Sequence, residues 1–179
     1  MSEYILSCCS TADLSKEHFE KRNIRYICFH YTLGGTSYPD DLGQSVPFQE
    51  FYARMAAGEE TKTSQVNVDE FLAIYKKLPK NAWIHVHCEA GVGRTTIFLS
   101  LMDMIKNADK LSYDDIMTRE VLLGGQDVRK SAETTKDAYK KENYPKRALF
   151  TRHFYEYVKA NPQLKKSYTQ WTKEMGFEF

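Results

Sequence analysis

Apolar positions along this chain change period several times, and each change marks an element. Residues 24–33, Ile-Arg-Tyr-Ile-Cys-Phe-His-Tyr-Thr-Leu, alternate and are rich in Tyr, Ile and Phe, which predicts a strand. A shorter apolar run at 4–8 predicts a strand that leaves into polar Ser10 and Thr11. Ser15 then suits the N-cap of a helix to about Arg22, with Glu17 early in it where a negative charge favours the dipole, and Asn23 ends it. Gly34-Gly35 turns the chain, 36–38 reads as a brief strand and Pro39-Asp40-Asp41 as a turn. Ser45 and Gly58 bracket a helix over 47–57. Over 68–78 the spacing puts Phe71, Leu72, Tyr75 and Leu78 on one face of an amphipathic helix, ended by Pro79 and Asn81.

The second half begins with an apolar run at 82–86, read as a strand, and a longer one at 97–105, read as a helix, with a glycine-containing loop between them. Ser112 and Asp115 cap a further helix through Leu123, stopped by Gly124-Gly125. Residues 126–143 are polar and predict a surface loop with a helical piece. Pro145 opens a last long helix carrying Phe150, Phe154, Tyr157 and Val158 at helical spacing, and Asn161-Pro162 closes it. That aromatic stripe reads as core, and Trp171 and Phe177 in the tail are expected to pack back on it. Strands and helices alternate with no linker and no repeat. The expectation is one α/β domain over 1–179, a three-layer, mostly parallel sheet flanked by helices, with a helical C-terminal part.

Composition adds little until it is divided. With 25 Lys/Arg against 24 Asp/Glu the net charge is +1, which gives no reason to expect nucleic acid or a membrane surface as partner. Residues 1–70 carry 6 Lys/Arg and 11 Asp/Glu; residues 71–179 carry 19 and 13. The basic part therefore surrounds the glycine loop. Four cysteines, Cys8, Cys9, Cys28 and Cys88, show no disulfide framework, so a reducing, cytoplasmic setting is expected. Cys28 and His30 would point to opposite faces of a strand, so no metal is expected. No cofactor is implied, no run is long enough to span a bilayer, and the first residues lack a signal-peptide pattern.

The loop holds the chemistry: Val86-His87-Cys88-Glu89-Ala90-Gly91-Val92-Gly93-Arg94-Thr95-Thr96. A thiol between a strand end and a helix start faces backbone N–H groups and the positive end of a helix dipole. Such settings bring a cysteine from about 8.5 into the range of roughly 3.5–7.5. The same N–H groups, from Glu89 to Arg94, make an anion cradle that Gly91 and Gly93 let close tightly, and Arg94 adds a two-pronged clamp for phosphate oxygens. A nucleophile and an oxyanion cradle in one loop point to phosphate-ester hydrolysis.

His-Cys, five residues, Arg and then Thr resembles the signature loop of cysteine-dependent phosphatases. From about residue 68 the chain resembles the phosphatase-like phytases, on Leu78-Pro79-Lys80-Asn81-Ala82-Trp83-Ile84-His85 running into the loop, then Gly124-Gly125, the lysine-rich 136–146 stretch and Phe154-Tyr155-Glu156-Tyr157-Val158. The resemblance implies an inositol-polyphosphate phosphatase. In it Cys88 is the nucleophile, Arg94 the clamp, His87 a brace for the loop and Thr95 a donor to the sulfur. Positive side chains beyond the loop, such as Lys136, Lys140 and Lys141, are candidates to hold outlying phosphates. The acid that protonates the leaving oxygen lies upstream in that family. Here Glu59, 29 residues before Cys88, is the first candidate, then Asp40 and Asp69.

Residues 1–70 resemble instead the start of DegV-type fatty-acid-binding proteins, on Ser10-Thr11-Ala12-Asp13-Leu14, the 24–33 strand, the 38–41 turn, Phe48 to Tyr52 and Thr61-Lys62-Thr63-Ser64-Gln65. That resemblance implies a carboxylate contact at Thr63, although the phosphatase loop stands where the rest of the lipid site would be. The chain thus reads as a chimera, whether by natural fusion, recombination or sequence assembly. Two alternatives stand beside the enzyme: a fatty-acid-binding module, and a phosphate-binding protein with little turnover. The sequence sets no oligomeric state.

Overall fold

Glycines 34 and 35, with φ of +56° and +80°, make the sharpest decision in the N-terminal part. Positive φ at two successive positions is what a tight hairpin needs, so the chain reverses on itself there. The computed structural model describes residues 7–12, 14–64, 66–79, 81–82, 84–86, 88, 90–130, 133 and 135–177. The chain divides into two units, Met1–Lys76 and Lys77–Phe179. It is a mixed α/β protein.

In the first unit β1 (Ser7–Cys9) leads through a single 3₁₀ turn to α1 (Lys16–Lys21), where the Ser15 side chain accepts from the His18 N–H. The expected 24–33 strand is two strands, β2 (Arg25–Ile27) and β3 (His30–Leu33). The chain changes partners between them. β2 pairs in parallel with β1, whereas β3 lies between β4 (Thr36–Pro39) and β5 (Thr61–Ser64), antiparallel to both. At the crossing Phe29 donates its N–H to Ser10 Oγ (2.9 Å) and accepts from the Asp40 N–H (2.7 Å), so both of its backbone groups are paired. Parallel order is therefore confined, among the described residues, to the β1–β2 ladder. The glycine hairpin makes β3 and β4 antiparallel, and the return through α2 brings β5 antiparallel onto the other edge of β3. That departs from the mostly parallel sheet expected.

Helix α2 (Phe48–Ala56) begins without a side-chain cap, because its N-cap is Pro47, whose side chain carries no acceptor, while Ser45 donates its N–H and hydroxyl to Asp41. Leu42 and Gly43 have positive φ within that turn. Phe51 meets Tyr31 of β3 edge-on at 5.0 Å, while Phe48, Tyr52 and Met55 stay exposed. Helix α3 (Val68–Tyr75) starts with a reciprocal capping box between Asn67 and Glu70 and ends before the expected Leu78.

The second unit is helical among its described residues: α4 (Gly93–Asn107), α5 (Tyr113–Leu122), α6 (Ala138–Ala160) and α7 (Tyr168–Glu174). The described residues of 82–86 carry no strand assignment, which corrects that expectation. Helix α4 packs on α5 and α6, and α7 packs on α6. The Ser112–Asp115 capping box forms as expected. Pro145, however, lies inside α6, which Asp137 caps by accepting from the Lys140 N–H.

The core of this unit is the expected aromatic stripe. Phe154 and Tyr157 are fully buried, Trp171 stands 5.7 Å from Tyr157, and Phe177 stacks on His153 at 3.8 Å. Burying each such ring contributes about 1.5–3 kcal/mol. The hydroxyls keep partners: Tyr157 donates to the Lys166 carbonyl (2.7 Å) and Tyr155 to that of Leu111 (2.9 Å). Against this fixed base the first turns of α4 are held.

Candidate active site

Helix α4 opens with Gly-Arg-Thr-Thr, and its buried face there is polar: Thr95, Thr96 and Ser100 are all buried. Polar groups are tolerated inside only when paired. Ser100 satisfies itself on the Thr96 carbonyl (2.8 Å), and the Thr96 hydroxyl donates to the Val92 carbonyl while accepting from the Gln126 N–H (3.0 Å). Thr95 turns instead to Cys88. Its Oγ1 accepts from the Cys88 N–H at 2.9 Å and lies 3.2 Å from the Cys88 sulfur. Since the hydroxyl has one proton, acceptance from the backbone leaves that proton for the sulfur.

The consequence is electrostatic. The Thr95 hydroxyl, and the N–H groups of Thr95, Gly91 and Val92, outweigh partial burial and lower the Cys88 thiol to about 6. Hydrogen bonds to the charged form favour it, and the start of α4 adds the positive end of its dipole. Gly91 takes φ of +67°, a left-handed conformation that lets the loop bend so its N–H groups converge. Arg94 is exposed, on the first turn of α4, and no carboxylate pairs with it among the described residues. Cys88 itself is half-buried and a free thiol, as are Cys8, Cys9 and Cys28.

Two further side chains border the loop. A Cβ added at Gly93 would lie 3.3 Å from Gln126 Oε1 and 3.5 Å from Arg147 Nη1. A Cβ at Gly125 would stand 2.8 Å from the Glu120 carbonyl and 2.9 Å from Thr96, so the α5 end sits directly against α4. The sequence reading gave no role to Thr96, Gln126 or Arg147. The glycine pair at 124–125 was the available signal, since it leaves room for close approach as well as ending a helix.

The other expected site residues divide. His87 and Glu89 lie outside the described residues. Glu59 is gripped by Arg54 through two hydrogen bonds, Nε to Oε1 at 2.9 Å and Nη2 to Oε2 at 2.7 Å, which hold its carboxyl below the usual range. The acid role expected of Glu59 would require this pairing to open. Asp40 is half-buried at the end of β4, and Asp69 lies in the first turn of α3. Lys136 and Lys140 are exposed, and Lys140 Nζ is 4.0 Å from Asp137. Thr63 sits exposed on β5 opposite Tyr31. No cluster of His, Cys, Asp and Glu able to hold a metal occurs among the described residues, and no described helix is long and apolar enough to cross a membrane.

The family model of PTP-like phytases, described by the words "Inositol hexakisphosphate", matches residues 44–106, which include the whole loop. A solved structure of the tandemly repeated protein tyrosine phosphatase like phytase from Mitsuokella multacida is 46% identical over 63% of this chain, with a TM-score of 0.58. The stretch 44–106 belongs to the PTP-like phytase family. A second structure from that organism, the PTP-like myo-inositol phosphatase in complex with myo-inositol-(1,3,4,5)-tetrakisphosphate, superposes over 98% of this chain, with a TM-score of 0.60 and 25% identity. The chain spans 19% and 37% of these two structures.

Among curated proteins, AvrBs1.1 of Xanthomonas campestris pv. campestris is 39% identical over 80 residues, which are 45% of this chain and 77% of AvrBs1.1. A DegV domain-containing protein of Staphylococcus aureus is 35% identical over 97 residues, 53% of this chain and 34% of its own length. The phytase match reaches back to residue 44, and the DegV match is longer than the 70 residues expected for it. The two likenesses overlap, where the sequence reading had them meet near residue 70.

Proposed function

We propose that this protein is a phosphomonoester hydrolase that acts on inositol polyphosphates such as phytate through a phosphocysteine on Cys88. The observation that carries the reading is the Thr95–Cys88 pair with its thiol lowered to about 6. The thiolate attacks phosphorus in line, forming the S–P bond as the P–O bond to the leaving oxygen breaks. The N–H groups from Glu89 to Arg94 and the Arg94 guanidinium hold the three equatorial oxygens. Water then attacks the same phosphorus, the S–P bond breaks, and orthophosphate leaves. Thr95 stabilises the departing thiolate by the hydrogen bond it already makes, and His87 braces the loop. Lys136 and Lys140 meet outlying phosphates. The substrate class rests on the family and on the inositol phosphate bound by the Mitsuokella myo-inositol phosphatase.

The leaving oxygen needs a proton, and Glu59 supplies it only once its pairing with Arg54 opens. That pairing with Arg54 favours a second reading, a phosphate-binding protein with little turnover on alkyl esters. Hydrolysis of inositol hexakisphosphate and of an aryl phosphate by wild type and Cys88→Ser separates the two. An aryl phosphate needs little protonation of its leaving group. Turnover of both substrates, lost in Cys88→Ser, supports the enzyme; turnover of the aryl ester alone supports the second reading; none on either overturns the hydrolase.

The proposal keeps the protein in a reducing, cytoplasmic setting, since a reactive thiolate must stay unoxidised. It also treats 1–179 as one cooperative α/β domain, for which a single calorimetric unfolding transition is expected.

A further inference from the structure

Arg147 is half-buried on α6, and no carboxylate pairs with it among the described residues. Its guanidinium carbon lies 4.9 Å from the centre of the Tyr144 ring. Its Nη1 lies against Gly93, within the anion cradle and one residue before Arg94, since a Cβ there would be only 3.5 Å away. Gln126 Oε1 borders the same glycine, and the Gln126 backbone is tied to α4 by its N–H on Thr96 Oγ1. A partly desolvated cation without a counter-charge is costly, and an anion is what repays that cost. The loop's own N–H groups and Arg94 already suffice for one phosphate. A guanidinium beside Gly93 is therefore positioned for a second anionic group on the same molecule.

We propose that Arg147 is a specificity-determining residue that binds a neighbouring phosphate of a multiply phosphorylated substrate, with Gln126 positioning it. This rests on the phosphatase reading of the same loop for its substrate class, but not on turnover. A planar guanidinium suits a phosphate's paired oxygens, and lysine replaces it only in part.

The test is binding to the Cys88→Ser protein, measured by isothermal titration with inositol hexakisphosphate and with phenyl phosphate. Arg147→Gln is expected to weaken the hexakisphosphate about tenfold and phenyl phosphate by less than about threefold, with Arg147→Lys in between. Circular dichroism of each variant checks that it folds, and Arg147→Lys serves if Arg147→Gln does not. Equal loss for both ligands, no loss for the hexakisphosphate, or no binding of it at all overturns the proposal. Absence of turnover in the wild-type enzyme with this difference in affinity intact would instead overturn the hydrolase reading and leave Arg147's role standing.

Discussion

Thr95 Oγ1 stands 3.2 Å from Cys88 Sγ and 2.9 Å from Cys88 N, so one hydroxyl holds both ends of the same residue. The backbone contact orients the hydroxyl, and the orientation commits its proton to the sulfur. In the proposed mechanism, nucleophile activation and leaving-group stabilisation thereby share one atom.

The first prediction concerns ionisation. With the thiol at about 6, about nine in ten Cys88 side chains are thiolates at pH 7. Alkylation by iodoacetamide, followed by mass spectrometry across pH, should rise with a midpoint near 6. Thr95→Ala should move that midpoint upward and Thr95→Ser should keep it. A midpoint at the ordinary cysteine value in wild type would end this account of the loop.

The joint between α5 and α4 sets the second. Gly125→Ala would drive a Cβ to 2.8 Å from the Glu120 carbonyl and 2.9 Å from Thr96. Backbone cannot yield cheaply, so a loss of about 1–3 kcal/mol in urea unfolding is expected. Cys88 reactivity should fall with it, because Thr96 anchors the turn that Thr95 belongs to.

Glu59 supplies the third. Its folded-state carboxyl lies below the ordinary value, so the stability it contributes is present above the unfolded pKa of about 4.3 and is lost as pH falls through the lower folded one. The melting-temperature gap between wild type and Glu59→Gln should be constant near neutrality and close in acid. Aryl phosphate turnover should differ by less than about twofold. A larger loss confined to alkyl phosphates would support Glu59 as the acid.

The start of α6 gives the fourth. Asp137→Ala removes the acceptor for the Lys140 N–H, at a cost of about 0.5–2 kcal/mol. Amide exchange should quicken over 138–144 and stay slow beyond Phe150. Unchanged exchange in the first turns would place the true start at Pro145, as the sequence alone suggests.

How much of this was written in the chain differs by feature. The cysteine loop was legible because its chemistry is contiguous: thiol, glycines, arginine and threonine lie within a few residues, and the roles proposed for them follow from backbone direction. The caps at Ser15 and Ser112 were legible for the same reason, as each acts on an N–H three residues away. The aromatic core of α6 showed in its spacing.

Tertiary structure decided what depends on distant partners. Strand β5, Thr-Lys-Thr-Ser, has no apolar alternation and becomes a strand only because β3 offers a free edge. The split of β2 from β3 follows from two ladders that the alternating pattern cannot tell apart. Pro145 looks like a helix start until Asp137 caps the chain earlier. Glu59 stands at a plausible distance upstream, but a carboxyl's role is set by its neighbour, and Arg54 reaches it first. Sequence by itself determined which groups could do the chemistry, because bonding along the backbone is local. Only the packed fold decided which charges are neutralised and which, like Arg147, remain to meet a ligand, because side-chain pairing is a competition among residues far apart in the chain.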